Sequence, residues 1–178
     1  NTDKVVAADY ELAEGEGDAE GETEEDVTRT TGNDDTIEGV VGLSSVNTLD
    51  NDDQIDGGAG NDTLSVDMQS SFNGLRDDAG SMSNVETVEL INSTDLSRSF
   101  DLSNTEGVER VEVDANDQAF SISDAQTTGL DVSLSNADEG NTYTVDYDAD
   151  VADAVDDVLT AELNDVGTDE TEAGEGDF

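Results

Sequence analysis

The chain has 178 residues, of which 48 are acidic and five are basic, so its formal net charge is −43 at pH 7. This charge excludes electrostatic binding to nucleic acid or to an anionic membrane, and no apolar run approaches the roughly 18 residues of a membrane-spanning helix. The chain contains no cysteine and no histidine, which excludes disulfides, thiolate and histidine metal sites, and histidine-dependent catalytic triads.

Residues 1–27 predict an apolar arm followed by an acidic linker. Val5–Leu12 holds the apolar residues, and residues 11–27 are mostly acidic residues and glycine, a composition that repels itself and stays extended. Two interpretations remain open for the arm: a frayed terminus or first strand of the same domain, or a strand that is added to a neighbouring subunit. Residues 167–178 have a similar composition and predict a mobile acidic tail, which leaves residues 28–166 as the folded domain.

The turn at residues 50–66 has the clearest chemical signal in the chain. Five aspartates and three glycines precede the alternating run Thr63–Val66, and Gly57–Ser65 fits the calcium-binding nonapeptide G-G-x-G-x-D-x-U-x at every specified position. Glycine permits the tight turn, and carboxylate and carbonyl oxygens are the ligands that Ca²⁺ selects. The alternative is an acidic turn that binds no ion. The predicted calcium ligands are the carboxylates of Asp62, Asp56 and Asp53 and the carbonyls of Gly57, Gly58 and Gly60, with Asp34 and Asp35 as candidates for a second ion.

The region after residue 84 is repetitive and predicts short strands. The pattern of Asn84–Leu90 is repeated at Gly107–Val113 and, more loosely, at Gly129–Leu134, and further alternating segments lie between these copies. Two strands per repeat of about 20–23 residues predict an all-β fold, a parallel β-solenoid with short rungs, and the alternative is a β-sandwich. The predicted inward rows are Val88, Leu90, Val111, Val113, Val132 and Leu134 on one side, and Phe100, Leu102, Phe120, Ile122, Tyr143, Val145 and Tyr147 on the other.

The segment 149–164 is ambiguous, because its apolar residues fit both a helical stripe and an alternating strand. The preceding repeats favour a final strand at Val158–Leu163. Two glycosylation sequons also occur, Asn61-Asp62-Thr63 and Asn92-Ser93-Thr94. Asn92 is the better predicted acceptor, because Asn61 lies inside the predicted calcium turn.

Thr30–Val66, taken with the Val-Glu-x-Val-Glu-Leu type of repeat, resembles RTX-related bacterial surface-layer and β-strand-repeat proteins. The resemblance covers roughly residues 28–165 in arrangement and is most specific at residues 50–66. It implies secretion, calcium-dependent folding and assembly, and a structural role at the cell surface. The chain departs from this family in having one full nonapeptide and in being much shorter than typical surface-layer proteins, which suits a small subunit that polymerises end to end.

These observations predict a non-enzymatic, extracellular calcium-binding subunit at the cell surface. It would assemble with other copies of itself into a surface layer or filament, with Val5–Leu12 as the candidate linking strand and calcium ions neutralising the carboxylates. No nucleic acid and no membrane insertion are predicted. The alternative is a secreted RTX-type adhesin or carbohydrate-binding module, for which exposed aromatic residues would be expected. An acidic surface is also typical of adaptation to high salt, and that interpretation is compatible with calcium binding.

Overall fold

The chain folds as a parallel β-solenoid. The computed structural model describes residues 3–6, 27–30, 32–43, 45–76, 79–151 and 160–166. These ranges form stacked parallel strands and contain no helix, so the solenoid prediction is confirmed and the β-sandwich alternative is wrong. Consequently, no helix in the described ranges is long and apolar enough to cross a membrane.

One side of the solenoid is a seven-stranded sheet, which we call the main sheet. Each coil contributes one strand to it, and all neighbours are parallel. Its strands, in order across the sheet, are β1 (Asp3–Val6), β3 (Asp35–Val41), β5 (Thr63–Met68), β7 (Thr87–Ile91), β10 (Arg110–Asp114), β12 (Asp131–Ala137) and β14 (Thr160–Val166).

Two smaller sheets complete the coils. The short-strand sheet contains β2 (Val27–Arg29), β4 (Gln54–Asp56), β6 (Ser81–Ser83) and β9 (Thr105–Glu106). The third sheet contains β8 (Arg98–Asp101), β11 (Phe120–Ala125) and β13 (Tyr143–Tyr147). The sequence therefore predicted the main and third sheets but missed the short-strand sheet, whose strands are only two or three residues long.

Residues that are in register on neighbouring strands stack into rows, and these rows form the core. Leu64 pairs with Val88, and Val88 with Val111, so these side chains stack one above the other between the sheets, where they are 0–2% exposed. Alternation with period 2 places every second residue of β3, β5, β7 and β10 in this core. The predicted row on this side is confirmed, with Val132 only half-buried.

The opposite wall of the core is aromatic near its middle. Phe100 is 2% exposed and stacks on Phe72 with ring centroids 4.9 Å apart. Phe100 is also in register with Ile122, which is followed by Val145 in the last strand of the third sheet. The second predicted row is therefore confirmed as a wall of the core, although its final members Tyr143, Val145 and Tyr147 are only partly buried.

Asparagines in the left-handed conformation occur at three corners between sheets and near the end of β12. Asn84, Asn104, Asn116 and Asn136 all have positive φ, between 48° and 57°, a conformation that asparagine tolerates better than most residues. Each side-chain amide then donates a hydrogen bond to the preceding coil, to Asp56 Oδ1, Leu75 O, Thr94 O and Asp114 Oδ1 respectively. These corners therefore both turn the chain and link the coils.

The coils differ in length although the strands keep their register. The coil is longest between β1 and β3 and shortest between β10 and β12, as the first register pair of each strand pairing shows: Asp3–Asp35, Thr36–Thr63, Thr63–Thr87, Thr87–Arg110, Arg110–Asp131 and Asp131–Thr160. The predicted repeat of about 20–23 residues thus holds only for the coils from β7 to β12.

Two segments outside the repeat also bear on the sequence predictions. The predicted last strand, Val158–Leu163, is found as β14 at Thr160–Val166, whereas residues 152–159 lie outside the described residues. Residues 7–26 and the predicted tail 167–178 also lie outside them. Asp3–Val6, in the predicted arm, is the outermost strand of the main sheet beside β3.

Candidate metal centre

The glycine-rich turn links β4 to β5 and fits tightly between two neighbouring coils. A Cβ atom on Gly57 would overlap the backbone carbonyl of Asn84 in the next coil and lie 2.9 Å from Asp62 Oδ2. A Cβ atom on Gly60, whose φ is +145°, would lie 2.6 Å from the carbonyl oxygen of Asn33 in the previous coil. Gly57 and Gly60 are therefore required by the close approach of three coils.

Asp62 is the buried acidic group at the centre of this turn, and the residue is only 1% exposed. Its Oδ1 accepts a hydrogen bond of 2.7 Å from the backbone N–H of Asp35. Its Oδ2 is buried and has no hydrogen-bond partner. A buried carboxylate oxygen without a partner is costly unless a cation or a donor compensates it.

The acidic surroundings of Asp62 increase the free-energy cost of burying its carboxylate. The Asp62 backbone N–H donates to Glu86 Oε2 at 2.7 Å, and the neighbouring Asn61 N–H donates to Asp34 Oδ1 at 2.9 Å. Burial is the main cause that raises the pKa of Asp62, the hydrogen bond from Asp35 N–H opposes it, and the charges of Glu86, Asp35 and Asp34 raise the pKa further.

An acidic residue recurs at this corner in five successive coils. The register of the main sheet aligns the residues that enter β1, β3, β5, β7 and β10. We call this alignment the acidic corner row; its members are Asp3, Asp35, Asp62, Glu86 and Glu109. The row ends at Leu130, which is 1% exposed. Adjacent strands lie about 4.8 Å apart, so the row aligns acidic positions at that spacing.

The predicted aspartate ligands do not all meet. Asp34 and Asp35 lie against Asp62 in the coil before it. Asp56 is exposed, and its Oδ1 accepts hydrogen bonds from Gly58 N–H at 3.0 Å and from the Asn84 side chain at 2.7 Å. Asp53 Oδ2 accepts from Asp50 N–H at 2.7 Å at the start of β4, and the three residues to Asp56 span about 10 Å. Asp53 therefore belongs to a separate turn.

The predicted glycine ligands lie around the same turn. The carbonyl of Gly57 accepts a hydrogen bond from Thr30 Oγ1. Gly58 is exposed and has φ +83°, and Gly60 packs on the previous coil. Within the described part of the chain, no three acidic side chains converge closely enough to form a metal site by themselves. Carbonyl oxygens would therefore have to complete any cation shell at Asp62.

Glu86 is the residue that sequence reasoning missed. It contacts Asp62 from the next coil, through its side chain and through its backbone N–H, which donates to Asp62 O at 3.1 Å. The pairing of Thr63 with Thr87 is what places Glu86 beside Asp62. A fixed repeat length does not predict this pairing, because the sequence offset between these two residues differs from the offsets in the coils on either side. Without the register, Glu86 is one more acid in a strand repeat.

The sequons behave in the opposite way to the prediction. Asn92 is 2% exposed; its Oδ1 accepts from Thr94 N–H and Oγ1, and its amide donates to the carbonyls of Leu96 and Ala115. Asn61 is exposed. The prediction that Asn92 is the better acceptor is therefore wrong, because its side chain is a buried part of a corner.

The raised pKa of Asp62 gives a pH prediction for the protein without calcium. Folded Asp62 binds a proton more tightly than unfolded Asp62, so it favours folding below its ordinary pKa of 3.8 and loses that contribution as the pH rises through its higher folded-state pKa. We expect the unfolding free energy of the native chain, minus that of Asp62→Asn, to fall as pH increases across this window. Chemical denaturation in chelator at a series of pH values measures it; a difference that rises with pH would contradict it.

Comparison with protein-family models, with curated proteins and with solved structures gives no match for this chain. The solenoid fold therefore rests on the structure, and the resemblance to RTX-related surface proteins rests on the residues that suggested it.

Proposed function

We propose that this protein is a calcium-binding, non-enzymatic structural subunit that assembles with copies of itself into a surface layer or filament outside the cell. The observation that supports calcium binding most directly is the buried, unpartnered Oδ2 of Asp62 in the glycine-rich turn. A hydrogen-bond donor is missing there, and the nearby groups are acidic, so a cation is the natural partner.

The chemistry of the donors favours a hard divalent cation. Asp62 supplies a buried carboxylate, Glu86, Asp34 and Asp35 add negative charge nearby, and the turn supplies carbonyl oxygens from Gly57 and its neighbours. Oxygen-only sites with variable geometry suit Ca²⁺ better than Mg²⁺, which demands near-ideal octahedral geometry. When bound, the ion would supply positive charge that offsets repulsion along the acidic corner row and links three successive coils.

Self-assembly is supported by the architecture and by the charge. Strands β1 and β14 are the edges of the main sheet in a single copy, and edge strands offer unpaired backbone groups to another chain. A net charge of −43 opposes the approach of two copies, so assembly requires cations. Head-to-tail contacts that do not close would produce a filament. Extracellular location and the surface-layer role come from the resemblance to RTX-related proteins.

One observation favours the alternative, a secreted adhesin or carbohydrate-binding module. A cavity of about 300 Å³ lies beside β9, where Gln126, Thr127 and Glu106 supply polar groups over Val108 and Leu130. This volume is at the lower end for ligand sites. The described lining contains no aromatic residue, so we prefer the structural role.

The test is to remove and restore calcium on the full chain. We expect chelation to lower the thermal unfolding temperature and to disperse assemblies seen by light scattering and electron microscopy, and added CaCl₂ to reverse both. NaCl at matched ionic strength is the control, because salt alone screens a charge of −43. If NaCl reproduces the whole effect, the calcium proposal is wrong; if calcium stabilises the fold but no assembly forms at any concentration, the self-assembly proposal is wrong.

A further inference from the structure

Strand β1 is held to the solenoid through the edge of β3. Four consecutive residues pair, from Asp3 with Asp35 to Val6 with Glu38, in a parallel ladder. The other edge of β3 pairs with β5. Because a parallel ladder is made of backbone groups, the edge of β3 has the same fit for β1 of the same chain and for β1 of another copy.

The connection that follows β1 is unusually long. Twenty residues separate β1 from β2, whereas twelve separate β3 from β4 and twelve separate β5 from β6. The twenty residues include ten acids and no basic residue. A chain of this length can span up to about 66–72 Å, whereas the seven strands of the main sheet extend over only about 29 Å. The connection is long enough to place β1 on a neighbouring solenoid.

We propose that in the assembly β1 of one copy pairs with β3 of the next copy, in place of that copy's own β1. The proposal rests on the proposed self-assembly and names the contact that produces it. Each copy would donate one strand to the next and accept one from the copy before, so the contact is heterologous, and it builds a filament when the rotation between copies does not close a ring. The donated strand Asp3–Val6 overlaps the predicted linking segment Val5–Leu12 at Val5 and Val6, and residues 7–12 lie outside the described residues.

The exchange also accounts for how two strongly acidic copies can associate. The ladder requires only backbone hydrogen bonds over four residues, so the two solenoid bodies need not bring extended acidic faces together. The basic residue Lys4 lies in the donated strand, at the register position opposite Thr36 and beside the acidic corner row. The donated strand therefore brings one of the five basic residues of the chain to the acceptor.

The absence of native cysteine permits a direct test by disulfide formation. Lys4 and Thr36 are register partners on adjacent strands, and a spacing of about 4.8 Å between such strands lies within the Cα separations that a disulfide bridges. A Lys4→Cys chain and a Thr36→Cys chain are mixed, allowed to assemble in CaCl₂, oxidised, and analysed on a non-reducing gel. The control mixture pairs Lys4→Cys with Thr87→Cys, two strands farther along the same row.

We expect a mixed disulfide dimer from Lys4→Cys with Thr36→Cys, formed several-fold more than in the control mixture and only under assembling conditions. The double variant Lys4→Cys/Thr36→Cys, oxidised when dilute and unassembled, should close its disulfide within one chain, which verifies the register. Assembly seen by light scattering without the mixed disulfide would overturn strand exchange and leave self-assembly intact. Absence of assembly would overturn both.

Discussion

Replacement of Gly57 by alanine should destabilise the protein by about 3 kcal/mol or more, at the upper end of the effects of overpacking. The new methyl group would overlap the backbone carbonyl of Asn84 and press on Asp62 Oδ2. A backbone carbonyl cannot rotate away as a side chain can, so relief requires two coils to separate. That separation would break the hydrogen bond of 2.9 Å from Gly57 N–H to Ser83 O.

The measurement is urea unfolding followed by circular dichroism, with and without calcium. Gly32→Ala is the matched control, because nothing lies within 4 Å of the added Cβ atom, and we expect its unfolding free energy to stay within about 1 kcal/mol of the native value. A Gly57→Ala protein as stable as the Gly32→Ala protein would show that the coils are not packed as closely at this turn as the structure has them.

Calcium should make the effect of the Asp62→Asn substitution on stability less favourable. Without calcium, it removes a buried charge whose Oδ2 lacks a partner, and asparagine keeps an Oδ1 that accepts from Asp35 N–H. We therefore expect stability to rise by about 1–3 kcal/mol. With calcium at about a hundred times its dissociation constant, the native protein gains about 2.7 kcal/mol, most of which the variant should forfeit.

The control for this substitution is Asp95→Asn, which removes the same charge from an exposed position. Its effect should be small and should have the same sign in both conditions, since it acts only through the net charge. Unfolding free energies of the three proteins in chelator and in CaCl₂ give the comparison. If the effect of Asp62→Asn on the unfolding free energy is the same in chelator and in CaCl₂, the carboxylate of Asp62 does not bind calcium.

The sequence was sufficient for the solenoid wherever strands are long enough to alternate. The strands that contain Val88, Val111 and Val132 have five to seven residues each, so their period is visible. The short-strand sheet was not predictable in this way. Strands β4, β6 and β9 bury one residue each, Ile55, Met82 and Thr105, and one buried residue defines no period.

The candidate metal centre was predictable to the extent that it is local in sequence. Asp62 follows from the nonapeptide alone. Its contact with Glu86 depends on which residues are stacked in neighbouring coils, and coil length varies too much for a fixed period to give that register. Asp53 was grouped with Asp62 because both are near in sequence, but strand β4 extends between their turns.

The unequal lengths of the coils indicate where this fold tolerates insertions and deletions. The coil that joins β1 to β3 is much longer than the coil that joins β10 to β12, yet the strands of the main sheet remain in register. The connections at the corners can therefore differ in length, while neighbouring strands of the sheet keep a constant spacing of about 4.8 Å. Foreign peptides grafted into the connections after β3 and β5 would be displayed along one edge at fixed intervals. The exposed side chain of Leu43 in the first of these connections shows that the core does not depend on it.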